Sequence, residues 1–108
     1  MVEAKLKDGR LILRGCFPHY RRPLSEIIDL RHTIYDQLVT QRVQLPIKKK
    51  LHLSINANKH ESGCDLSNIV QAICQALDGK TLSIDKHDII LVDDSQIISL
   101  SARWINAN

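Results

Sequence analysis

Aromatic side chains are scarce in this chain: one Trp, two Tyr and one Phe among 108 residues. That argues against the row of stacked rings on which proteins hold single-stranded nucleic acid. Long apolar runs are missing too, and none approaches the roughly 18 residues of a membrane-spanning helix, so no membrane partner is expected. The opening MVEAKLKDGR lacks the apolar core of a secretory signal. Three cysteines, Cys16, Cys64 and Cys74, make an odd set without a paired framework, which points to a reduced, cytoplasmic setting. Four Gly and three Pro leave no low-complexity stretch and no linker. What remains is a globular composition, 44% hydrophobic and 25% charged, in a length that suits a single domain over 1–108.

The net charge of +3 hides an asymmetry. Residues 1–60 hold 12 Lys and Arg against 5 Asp and Glu, whereas residues 61–108 hold 3 against 7. A basic half joined to an acidic half suits a protein that grips a polyanion and holds a cation beside it; two differently solvated faces would give the same counts.

Periodicity predicts the elements. Asp8-Gly9 marks a turn before a strand over residues 10–19 and allows a hairpin with residues 2–6. Residues 24–42 carry Ile27, Ile28, Ile34, Tyr35, Leu38 and Val39 at helical spacing, with Ser25 as the expected N-cap and Pro46 beyond the end. Residues 47–56 alternate as a strand, Ile47, Leu51, Leu53 and Ile55 on one face and Lys48, Lys50, His52, Ser54 and Asn56 on the other. A second helix over residues 64–78 shows Leu66, Ile69, Val70, Ile73 and Leu77 on one stripe, and Gly79 stops it. IILV (89–92) and QIISLSARWI (96–105) read as closing strands. The expected fold is α+β, a small mixed sheet with two main helices packed on it.

The acids cluster in two short signatures. Asp65 opens the second helix within SGCDLSN, and Asp93-Asp94 precedes the last strand within VDDSQI. Each has a local explanation: Ser62 and Asp65 resemble a capping box, and an Asp pair before a strand makes a turn that blunts a sheet edge. Taken together, DLSN, a helix ending ALDG, and DDSQI resemble the RusA family of Holliday junction resolvases, whose pattern is DLDN, a lysine-bearing helix and DDxQ. Asp65, Leu66, Asn68, Ala76, Leu77, Asp93, Asp94, Gln96 and Ile97 carry the match.

That resemblance implies a homodimeric, RusA-like endonuclease that cuts branched DNA in recombination and repair. Its cofactor would be Mg²⁺ or Mn²⁺, held by Asp65 and Asp94 with Asp93 in support, because a hard cation takes oxygen ligands and can generate a hydroxide nucleophile. Three family positions are substituted: the middle carboxylate falls on Ser67, the helical lysine on Gln71 and a further acid on Gln75. The alternative is therefore an inactive DNA- or junction-binding protein of the same fold. Substitute ligands are available in Glu61 and Asp88, within a loop that also holds Asp85, Lys86 and His87. Arg21, Arg22, Lys48, Lys49, Lys50 and His52 are the expected DNA contacts; the three lysines could equally protect an edge strand. His60 and Cys64 have the spacing of two zinc ligands, but no second pair follows.

Overall fold

The hairpin is the first element the chain builds. Asp8 (φ 52°) and Gly9 (φ 74°) take the two left-handed positions of a two-residue turn, which Asp-Gly adopts at little cost. The turn joins β1 (Val2–Lys7) to β2 (Arg10–Gly15), with Lys7 opposite Arg10. The computed structural model describes residues 2–19, 22–59, 65–79 and 88–105. Among them follow α1 (Leu24–Thr40), β3 (Leu51–Asn58), α2 (Leu66–Leu77), a 3₁₀ turn (Asp94–Gln96) and β4 (Ile97–Ile105). The sheet order is β1-β2-β3-β4; the first pair is antiparallel and the other two are parallel. This is the α+β arrangement expected, a small mixed sheet with two helices on it.

Both helices lie on the same face. Each β–α–β connection steps the same way across the sheet, and such crossovers are right-handed, so both land on one side. That side is apolar. Ala4, Leu11, Leu13, Leu51, Leu53, Ile55 and Ala57 are buried on it, against Ile27, Leu30, Ile34 and Leu38 of α1 and Ile69, Ile73 and Leu77 of α2. Gly79 follows α2 where its backbone comes close to the chain ahead of β4; a Cβ there would stand 2.7 Å from the Leu91 carbonyl.

Several element boundaries differ from expectation. Pro23, not Ser25, is the N-cap of α1, and Ser25 lies inside its first turn; Pro supplies the extended backbone that a helix entry needs. α1 stops at Thr40, and the chain reverses through Arg42 (φ 62°) well before Pro46. β2 ends at Gly15, not 19. β3 begins at Leu51, because Ile47 turns away from β2: its N–H donates to the Ile90 carbonyl (2.8 Å) and it bridges Leu91. Residues 89–92 form no strand of their own; Leu91 bridges Ile47 on one side and Asp78 on the other. In β4, Leu100, Ala102 and Trp104 lie beside Leu53, Ile55 and Ala57 as the alternation requires, while Ile98 falls at a register shift.

The two edges of the sheet are treated differently. At β1, α1 covers the edge: the Ala4 N–H donates to Gln37 Oε1 (2.7 Å), Gln37 Nε2 donates to the Val2 carbonyl, and Gln41 Nε2 donates to the Ala4 carbonyl (2.7 Å). At β4 no side chain of the described residues plays that part. Ile98 and Leu100 there are 53% and 43% exposed.

Candidate nucleic-acid interface

With both helices on one side, no described element covers the other face of the sheet. The strand register stacks its side chains in rows: Lys7, Arg10, His52 and Ser99; then Lys5, Ile12, Ser54 and Ser101; then Glu3, Arg14, Asn56 and Arg103. Lys5, Lys7, Arg10, Arg14 and Arg103 are all exposed, and Glu3 is the one acid in these rows. Neighbouring strands lie about 4.8 Å apart and six residues extend about 20 Å, so the face is a shallow plate on the order of 14 by 20 Å. Its centre is polar and ordered by cross-strand bonds. His52 Nδ1 pairs with Ser99 Oγ (2.5 Å), and Arg103 Nε donates to Asn56 Oδ1 (2.7 Å). Cations on an exposed, neutral polar plate make a surface for a polyanion backbone.

Only part of this surface is expected from the sequence. His52 is on it. Lys48, Lys49 and Lys50 are exposed in the loop entering β3, next to it in the chain. Arg22 is exposed and pairs with Glu26 through Nε–Oε2 at 2.9 Å, an i, i+4 surface pair of small energetic weight. Arg21 lies outside the described residues, as do Glu61, Ser62, His60, Cys64, Asp85, Lys86 and His87. The residues overlooked were Lys5, Lys7, Arg10, Arg14 and Arg103. For the first four the signal was present in VEAKLKDGRLILRG, where Glu3, Lys5 and Lys7, and then Arg10 and Arg14 on either side of Ile12, fall on one face; Arg103 stands alone in its strand.

The acidic residues separate. Asp65 is the N-cap of α2, exposed and in extended backbone (ψ 144°), and its side chain makes no capping bond to the helix. Ser67 and Gln71 are exposed along α2; Gln75 is half-buried. The acid pair stands at the far end. Asp93 caps the 3₁₀ turn: its Oδ1 accepts from the Ser95 N–H (3.1 Å), and its own N–H donates to Gln96 Oε1 (3.0 Å). Asp94 is at the same end as Cys74, close enough for its charge to help raise the thiol. Cys74 is nine residues beyond Asp65, which at 1.5 Å per residue is roughly 13 Å along the helix. Asp88 is drawn elsewhere, to α1: Asp88 Oδ2 is 3.0 Å from His32 Nε2, and its carbonyl accepts from Arg31 Nε at 3.0 Å. Among the described residues no group of three or more His, Cys, Asp or Glu side chains is placed to hold a metal ion. The expected set of Asp65, Asp93 and Asp94 is thus split between the two ends of α2, with Asp93 committed to its turn.

Burial, then the charges of Asp94 and Asp78, push the Cys74 thiol up from its ordinary pKa. Less thiolate forms at a given pH, so Cys74 is expected to alkylate more slowly at pH 8 than the exposed Cys16. Asp94→Asn removes one of the raising charges and is expected to speed modification at Cys74 while leaving Cys16 unchanged. Peptide-resolved mass spectrometry after iodoacetamide reads both rates, and an unaltered Cys74 rate would contradict the placement of Asp94.

No protein-family model, no curated protein and no solved structure matches this chain. Among the described residues no helix is long and apolar enough to cross a membrane.

Proposed function

We propose that this chain is a divergent RusA-type domain that binds branched DNA without cutting it, in the cytoplasm, with the open sheet face as its contact surface. One observation carries the reading: among the described residues five exposed cations share the sheet face away from the helices, opposed there by one acid. The resemblance in DLSN and DDSQI supplies the kind of DNA. The substitutions at Ser67 and Gln71 and the separation of Asp65 from Asp94 argue against catalysis, because a two-metal or one-metal nuclease needs its carboxylates around one point. The described residues do not fit Mg²⁺ or Mn²⁺, and no cleavage step is assigned to them.

A two-fold dimer is part of the proposal. The β4 edge offers nine residues without proline and with one charge, Arg103, and an edge of that kind invites pairing with another strand. A second copy of the same edge, run antiparallel about a two-fold axis, is self-complementary. It would continue the basic plate across both protomers.

The test mixes the purified protein with a labelled four-way junction and with duplex, in Mg²⁺, in Mn²⁺ and in EDTA, and reads band shift, strand length and the mass of the complex. Binding that survives EDTA, weakens steeply with salt and leaves the strands intact is expected. Metal-dependent nicking that disappears in Asp94→Asn would restore the resolvase reading. Weak binding insensitive to salt would remove DNA altogether.

A further inference from the structure

At the end of the sheet where the first basic row stands, the loop from α1 to β3 and the turn between β1 and β2 enclose a groove of about 580 Å³. Leu6, Val43, Leu45 and Pro46 form its apolar floor, and Gln44 and Lys48 to Lys50 stand at its rim. Among the described residues no acidic side chain lines it. Gly9 contributes to the wall; Lys7 and Arg10 flank that turn in the chain, with their side chains on the other face of the sheet from Leu6 and Leu51. An apolar floor under a cationic rim suits a ligand with an apolar body attached to phosphate. We infer that this groove receives an unpaired nucleobase of the bound DNA, with the flanking phosphates on Lys48 to Lys50.

The inference rests on the DNA reading and deepens it. A paired base is stacked inside the duplex and cannot reach the floor; a base already unpaired, as at a branch or bulge, swings out at least cost. A groove of this volume admits a nucleobase with room to spare. Burial of the base face replaces the aromatic stacking that the composition denies, and the Gln44 amide offers both a donor and an acceptor to a base edge. Preference for branched over continuous DNA would then come from the groove, and affinity for DNA in general from the open sheet face.

The experiment compares three labelled probes on the full chain: a continuous duplex, the same duplex with one extra unpaired nucleotide, and the same with an abasic sugar at that position. The unpaired nucleotide is expected to bind about tenfold more tightly than the other two. Leu45→Trp and Val43→Phe, which fill the groove, are expected to abolish that preference and leave duplex affinity unchanged. With 2-aminopurine as the unpaired base, fluorescence is expected to change on binding to the natural chain and not to either filled variant. Equal affinity for the nucleotide and abasic probes overturns the inference while the DNA reading stands. Failure of all three probes to bind overturns both.

Discussion

Exchanging Lys5, Lys7, Arg10, Arg14 and Arg103 together for glutamine is expected to abolish duplex and junction binding at moderate salt. Each cation that neutralises a phosphate releases a condensed counterion, and the logarithm of affinity falls with the logarithm of salt at about 0.9 per contact. Removing five contacts should cut that slope by about four to five and lower affinity by roughly 10³-fold or more at low salt. The five side chains are exposed and none belongs to the core. The one hydrogen bond forfeited is that from Arg103 to Asn56. The thermal midpoint should therefore stay close to that of the natural chain, which separates lost contact from lost fold. Anisotropy titrations over a range of salt read the slope. An unchanged slope in the quintuple variant would show that the plate does not touch phosphate.

Gln96→Ala is expected to cost about 2–4 kcal/mol of stability, a large share of the margin of a domain this size. Gln96 is buried, and its amide is fully engaged: Nε2 donates to the carbonyls of Ile47 (2.7 Å) and Lys49 (3.0 Å), while Oε1 accepts from the Asp93 N–H (3.0 Å). Alanine leaves the buried Ile47 carbonyl without its donor, and the penalty is desolvation more than lost bonding. Gln96→Glu should be worse still at neutral pH, since a carboxylate can donate to neither carbonyl and would bring a charge into a buried site. Thermal or urea unfolding of the two variants reads the order. Because Gln96 ties the 3₁₀ turn to the loop bearing Lys48 to Lys50, DNA affinity should fall with it. A Gln96→Ala protein as stable as the natural chain would contradict the buried network.

The RusA-like pattern groups Gln96 with the two aspartates in one signature. In the fold Gln96 and Asp93 lock each other into a capping box. The local explanation of the acid pair, a turn ahead of a strand, describes Asp93 well. Asp65, expected inside the first turn of a helix capped by Ser62, is itself the N-cap, and its side chain makes no capping bond.

Local features of the sequence determined the hairpin, the two helices and the alternation of β3, since Asp8-Gly9, helical spacing and period-two burial depend on neighbours in the chain. The basic residues of β1 and β2 were visible one strand at a time. That they share an uncovered plate with Arg103 depended on where both crossovers placed their helices, and that is a property of the assembled sheet. Equally, two acidic motifs flanking one helix look adjacent on paper. A helix of twelve residues between parallel strands sets its start and its exit at opposite ends of the molecule, and only the tertiary path showed that Asp65 and Asp94 belong to different ends.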